Sequence, residues 1–321
     1  MLHAPNIEDV LRARRVVARF LPRTPLCDYP CLSELLGCTA YVKHENHQPA
    51  GAFKVRGGIY LMSRLSEDER RRGVITASTG NHGRSVAYTA RRFDVEAIIG
   101  LPEKANPDKV AAIKAFGGQV LSHGPDFDAA REHVEQLARE KGYRYIHSGN
   151  EPDLIAGVGT YALEILEDLP DVDVIIVPVG GGSGAAGVCT VVKALKPSAE
   201  VIAVQATAAP AAYKSWKAKK LVEDRMETFA EGLASRTAFS LPQRILWEHL
   251  DDFVLVSEQE IRCAILLLLQ HTHNLAEGAG AAPLAAALKL KERLRGRNVV
   301  LVLSGGNLSL ATLREVLRDS G

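Results

Sequence analysis

Residues 172–184 read VDVIIVPVGGGSG. Val172 to Val179 is a nearly unbroken apolar, β-branched run, the pattern of a parallel strand buried on both faces. It passes directly into Gly180, Gly181, Gly182, Ser183 and Gly184. A strand, a glycine loop and then a helix make an anion cradle. Glycines let backbone N–H groups converge, Ser183 adds a hydroxyl, and the helix expected from Ala185 onward points its positive end at the ligand. The same loop satisfies the dinucleotide spacing G-x-G-x-x-G at Gly182, Gly184 and Gly187. That fingerprint also needs an acidic residue about twenty positions on, at the end of the following strand. Here that strand is read at Val201–Gln205 and closes on Gln205, Ala206 and Thr207, with Glu200 placed before it and out of reach. The loop is therefore read as a single-phosphate site.

Three further segments carry chemistry. Lys54 stands between Phe53 and Val55, and its flanks, Gly51 and the pair Gly57-Gly58, argue against ordinary helix interior. An amine beside apolar side chains loses hydration in its charged form, its pKa falls, and it becomes a nucleophile toward a carbonyl. The competing reading is a surface lysine in a basic run with Arg56. Ser78-Thr79-Gly80-Asn81-His82-Gly83 follows an apolar run, Gly73–Ala77, and precedes a helix expected over about 84–93. Small hydroxyl residues and free N–H groups at such a junction can hold one carboxylate, and the Asn81 amide can meet a phenolic oxygen. The plainer reading of Asn81 is a helix cap. Asn298–Leu303 is a third buried strand and delivers Ser304-Gly305-Gly306-Asn307 at its C-terminal end, where open α/β sheets place ligand groups. A serine hydroxyl suits an uncharged ring nitrogen.

With these segments in order, the chain resembles the fold-type-II pyridoxal-phosphate enzymes, the serine/threonine dehydratase and serine racemase group. The resemblance runs from about Leu11 to the last helix. It implies an α/β, two-domain fold of the tryptophan synthase β type, with parallel-rich twisted sheets flanked by helices. It implies pyridoxal 5'-phosphate held by Phe53, Lys54, Asn81, Gly180, Gly181, Gly182, Ser183, Gly184, Glu277 and Ser304. Lys54, in GAFKVRG, matches the lysine that carries the cofactor, and Glu277, in AEGAG, matches a segment lining the ring pocket. Ser78, Thr79, Gly80, Asn81 and His82 match the loop that binds the substrate carboxylate, with Lys54 and Thr79 as the catalytic pair. Three positions depart from the family pattern: Ala50 replaces a threonine, Ser183 replaces the last glycine of a tetrad, and Thr79 stands where racemases carry a serine. The β-branched Thr79 is restricted in its rotamers, which disfavours racemisation.

The resemblance implies elimination of water from a β-hydroxy-L-amino acid, threonine or serine, to give a 2-oxo acid and ammonia. Racemisation, β-replacement, and dehydration of 3-hydroxyaspartate or phenylserine remain as alternatives. A non-catalytic nucleotide-binding module using Gly182 to Gly187 is the remote one. Isoleucine feedback is not expected.

Composition agrees with a small-molecule enzyme. With 321 residues, 46% of them hydrophobic, the chain can bury a large core in two lobes. The expected division is 1–70 with 149–321 as the larger lobe, and 71–148, a compact βαβα run, as an inserted smaller one. Thirty-nine basic against 38 acidic residues leave a net charge of +1, which offers no field for nucleic acid or an anionic membrane. Five cysteines without a C-x-x-C pair suit reduced thiols and a cytoplasmic location. A homodimer or homotetramer is expected. No metal is expected: Glu227 and Glu231, four apart, could help hold a cation but read as solvated helix carboxylates, and His271-x-His273, the histidine pair with metal-like spacing, points two ways along a helix.

Overall fold

The computed structural model describes residues 2–318. Met1 and residues 319–321, at the ends of the range expected for the larger lobe, lie outside the described residues. Among the described residues ten strands form two sheets: β1 (Leu26–Asp28), β2 (Thr39–His44), β3 (Val74–Ala77), β4 (Ala97–Leu101), β5 (Gln119–Ser122), β6 (Arg144–Tyr145), β7 (Val174–Pro178), β8 (Glu200–Ala206), β9 (Asp252–Val256) and β10 (Asn298–Leu303). The larger sheet has the order β1-β2-β10-β7-β8-β9, the smaller β5-β4-β3-β6. Every pairing is parallel except β1 with β2.

The central strands β7 and β10 are buried along almost their whole length, as their continuous Val/Ile/Leu runs require when helices cover both faces. Because β2, β10 and β7 run in the same direction, their carboxyl ends open on one edge of the sheet. The Lys54 segment, Ser304 and the glycine loop follow those three strands, so one edge gathers all three. β3 likewise ends at Ala77 and delivers Ser78 at the carboxyl edge of the smaller sheet.

Lys54 opens a helix, Lys54–Arg64, and Gly57 and Gly58 lie inside it, contrary to the expectation from their flexibility. They are there for close approach. A Cβ on Gly57 would sit 2.6 Å from the Leu154 carbonyl oxygen, on the Pro152–Asp168 helix. One on Gly58 would sit 2.8 Å from both Ser85 Oγ and Thr89 Oγ1, on the Asn81–Arg92 helix. The helix carrying Lys54 thus touches a helix of each sheet through adjacent glycines. Apolar side chains around it, including Ile59, Val86, Ile99, Val158 and Val177, form one continuous core across both sheets.

Two smaller expectations are also corrected. Glu200 is the first residue of β8, and it pairs with Arg293 (2.5 Å) and Arg297 (2.9 Å) at the amino end of the sheet, opposite the glycine loop. Arg56 is 1% exposed rather than part of a surface basic run.

Candidate active site

Gly51, at φ 71°, turns the chain into the Lys54 helix. The stretch before Lys54 is zipped to the loop after β10: Phe53 N–H donates to Ser304 O (3.0 Å), Gly306 N–H donates to Gly51 O (3.0 Å), and Ala52 pairs with Gly305 as an antiparallel bridge. Segments remote in sequence therefore form one unit. Lys54 Nζ donates to Ser183 Oγ at 2.9 Å and to the Ser148 carbonyl at 3.1 Å. Both partners are neutral, so burial of the amine is not offset, and its pKa falls to about 8.

Beneath it, Arg56 closes a buried ion network. Its guanidinium donates to Glu45 (2.7 and 2.8 Å), to Glu164 (2.7 and 2.8 Å) and to the hydroxyls of Thr24 and Thr160. Lys43 Nζ donates to Glu164 (2.7 Å) and to Thr24 O (2.8 Å). Two cations face two carboxylates, so the network is neutral and its polar atoms are paired, the condition under which charges survive burial.

Ser183 starts the Ser183–Leu195 helix, two residues earlier than expected, with Gly182 as N-cap at φ 85°. The loop is walled on its outer side. A Cβ on Gly180 would lie 2.1 Å from Gly232 O, on Gly181 2.5 Å from the Phe239 ring, and on Gly182 2.9 Å from Pro242. Only glycine fits against those walls, and the N–H groups of the first helical turn are left to face an anion. Phe53 packs edge-on to Tyr161 beside Gly184, whose carbonyl accepts from the Tyr161 hydroxyl at 3.2 Å.

Across the cleft the helix begins at Asn81, not Arg84, with Gly80 as its N-cap. Asn81 is therefore no cap, and its amide is free for longer-range bonds. Nδ2 donates to Glu277 Oε1 (2.7 Å), while Oδ1 accepts from Asn307 Nδ2 (2.7 Å); Asn307 Oδ1 in turn accepts from Arg84 (2.6 Å). Burial pushes the Glu277 carboxyl up to about 7, Glu231 adds to the rise, and the Asn81 bond opposes it. Ser78 and Thr79 are half-buried on the turn, Ser78 Oγ accepting from Gly80 N–H at 3.3 Å. Nothing would meet a Cβ at Gly80 within 4 Å, so the turn borders open space. The His82 ring faces inward, Nε2 lying 3.2 Å from Thr76 Oγ1 and 3.4 Å from Ile146 O. Burial and the nearby Lys54 hold its pKa near 3, so the imidazole is neutral. What His82 offers a ligand is its backbone N–H.

The structure thus brings Lys54, Ser183, Asn81, Glu277 and Ser304 around one cleft. Glu231 is paired with Lys109 at 2.6 Å, and Glu227 is exposed. Among the described residues no group of three or more His, Cys, Asp or Glu could hold a metal ion. No helix among them is long and apolar enough to cross a membrane. Sequence reasoning missed Ser148, Arg84, Phe239 and the buried charges Lys43, Glu45 and Glu164. Of these only Lys43, inside the apolar strand AYVKH, gave a signal.

What this cleft can hold follows from its donors. An amine of lowered basicity asks for an aldehyde, the glycine cradle at a helix start for a phosphate, and the neutral Ser304 for a ring nitrogen. One small molecule carries all three, and the site is that of the pyridoxal-phosphate class. Comparison with known proteins agrees: residues 17–305 match the family of pyridoxal-phosphate dependent enzymes, and the chain belongs to it. It is 38% identical to the L-threonine ammonia-lyase of Thermotoga maritima over 97% of this chain and 78% of that one. Among solved structures, the processed form of threonine deaminase isoform 2 from Solanum lycopersicum superposes with a TM-score of 0.93 at 31% identity, covering 99% of this chain and 95% of that one. Maize serine racemase superposes with a TM-score of 0.93 at 30% identity, covering 99% and 98%.

Proposed function

We propose that the protein is a pyridoxal-phosphate dependent dehydratase that converts L-threonine or L-serine to a 2-oxo acid and ammonia. The observation that carries this reading is Lys54 Nζ, held between Ser183 Oγ and Ser148 O with its basicity lowered. The bound cofactor supplies electron withdrawal from the substrate α-carbon. Lys54 Nζ would hold the cofactor and, with substrate bound, would be the base placed to take the α-proton. The turn Ser78–Asn81 and the backbone N–H of His82 hold the substrate carboxylate at the helix start. The Gly180–Gly184 loop fixes the phosphate, and Phe53 with Tyr161 shields that side from water. Glu277 and Asn307 hold the Asn81 amide, whose second N–H would be the donor for the phenolic oxygen. Ser304, a neutral hydroxyl, would be the partner of the ring nitrogen, and a neutral partner there would favour elimination over transamination.

The names of the relatives support the substrate class. Racemisation stays as a second reading because Thr79 offers a hydroxyl at the turn opposite Lys54 and because serine racemases share the fold. We infer further that 71–148 forms a lobe inserted into the rest of the chain, and that the enzyme is cytoplasmic and assembles as a homodimer or homotetramer, which sedimentation in solution tests. The deciding experiment is 2-oxo acid release from L- and D-serine, L-threonine, 3-hydroxyaspartate and phenylserine by wild type and Lys54→Ala. Turnover of L-threonine or L-serine that disappears in the variant is the expected result. Interconversion of L- and D-serine without oxo acid would instead favour the racemase.

A further inference from the structure

An asparagine amide has two orientations, and only one of them lets Asn81 present an N–H to the cofactor. Turned over, it would present an oxygen instead. Nothing within an asparagine chooses between the two, so the choice lies with its neighbours. Here three side chains make it. Arg84 Nη1 donates to Asn307 Oδ1 (2.6 Å), Asn307 Nδ2 donates to Asn81 Oδ1 (2.7 Å), and Asn81 Nδ2 donates to Glu277 Oε1 (2.7 Å). All three bonds run the same way, from a guanidinium, which has donors only, to a carboxyl group. Turning either amide over alone sets N–H against N–H at one of its bonds and oxygen against oxygen at the other.

The two ends of this relay are not equally firm. The Glu277 carboxyl, pushed up to about 7 by burial, is partly protonated near neutral pH, and a protonated carboxyl donates as well as accepts. The other end does not change role. Arg84 occupies Asn307 Oδ1, and Asn307 Nδ2 has a second acceptor in the Ala50 carbonyl (2.9 Å), so both atoms of that amide are claimed by groups that cannot reverse. Glycines seat the relay. A Cβ on Gly51 would lie 2.5 Å from Asn307 Oδ1, and one on Gly305 would lie 2.5 Å from Glu277 Oε1. Both glycines belong to the strip that zips the Lys54 segment to the loop after β10. We propose that Asn307, anchored by Arg84, is a positioning residue that sets the direction of the Asn81 amide and so keeps an N–H, rather than an oxygen, toward the cofactor's phenolic oxygen. This rests on the role given to Asn81 above. A donor at that oxygen favours its ionised form, which absorbs at longer wavelength than the protonated one.

The test compares holoenzyme absorbance, the Kd for pyridoxal phosphate and the melting temperature of the cofactor-free protein in wild type, Asn307→Asp, Arg84→Met and Arg84→Lys. Asn307→Asp keeps the size of the side chain and its contact with Arg84, but sets an acceptor against Asn81 Oδ1. The Asn81 amide is expected to turn over, and the ratio of long- to short-wavelength absorbance to fall at least about tenfold, the scale of a hydrogen bond to an ionised group. Pyridoxal phosphate binding weakens with it. Arg84→Met moves the ratio the same way by less, and Arg84→Lys, which restores a donor, returns it toward wild type. A ratio within about twofold of wild type in Asn307→Asp overturns the proposal, whatever the melting temperature, and leaves Asn307 a packing residue. If that variant does not fold, the Arg84 pair decides: a ratio unmoved by Arg84→Met, or not restored by Arg84→Lys, overturns it equally. None of these readouts needs turnover. Failure of the dehydratase reading would appear as absence of oxo acid from any substrate, whereas failure of the relay would appear as an unmoved absorbance ratio.

Discussion

Lys54 sits where its amine must be neutral to react, and the surrounding protein provides that by desolvation alone. Its folded pKa of about 8 lies below the value of 10.5 for a free lysine side chain. Below about pH 8 folded and unfolded chains are both protonated, and burying the charge costs stability in full. Between 8 and 10.5 the unfolded chain holds a proton that the folded chain has released, so the cofactor-free protein gains stability as pH rises through that window. Attachment of pyridoxal phosphate to the cofactor-free protein should accordingly quicken about tenfold per pH unit below 8 and level off above it. Stopped-flow absorbance checks this, and a midpoint near the free-lysine value would contradict it. At Ser304 the expected outcome of substitution is chemical rather than structural. Ser304→Asp places a carboxylate where a ring nitrogen would lie and should shift product partitioning toward transamination, seen as amine-form cofactor accumulating during turnover. Unchanged partitioning would remove the argument that a neutral hydroxyl steers the reaction to elimination.

Within single elements, the sequence disclosed what depends on local pattern. The buried strands β7 and β10 and the loops they feed were legible because continuous β-branched runs and glycines have few other uses. Helix starts were less so. Asn81 is a good capping residue, yet it lies within the helix because Gly80 takes the cap and Glu277, almost two hundred residues on, takes the amide. Gly57 and Gly58 misled for a related reason: their purpose is the approach of helices that are remote in sequence. The glycine loop gives the sharpest test at this scale. Gly180→Ala forces a methyl group against the Gly232 carbonyl, and such overpacking costs about 1–3 kcal/mol. Both the melting temperature and the affinity for pyridoxal phosphate should fall. An intact melting temperature with lost affinity would mean that the loop yields and only the cradle is spoiled.

Across the whole molecule, the charges under the site were invisible in sequence because each member is an ordinary polar residue in its own segment. Lys43, Glu45, Arg56 and Glu164 come from a strand, a turn and two helices, and only the fold makes them a closed set. Arg56→Met should destabilise by about 3–5 kcal/mol, because the buried Glu45 carboxylate loses its counter-charge while Glu164 keeps only Lys43. Loss of the exposed Arg71–Asp68 pair by Arg71→Ala should leave urea unfolding unchanged. Equal effects would show that the buried set is not integral to the fold. The glycine contacts between the Lys54 helix and its neighbours have a mechanical consequence. Gly157 reciprocates Gly57, since its own Cβ would strike the Arg56 carbonyl oxygen at 2.6 Å. The Lys54–Arg64 and Pro152–Asp168 helices therefore meet backbone against backbone at Gly57 and Gly157, with the side chains of Leu154, Val158 and Tyr60 packed tightly around the contact. The connections at 65–73 and 146–151 lead from these two helices to the smaller sheet. The second of these carries Ser148, so opening the cleft would loosen the grip on the lysine amine, and closing it would restore it.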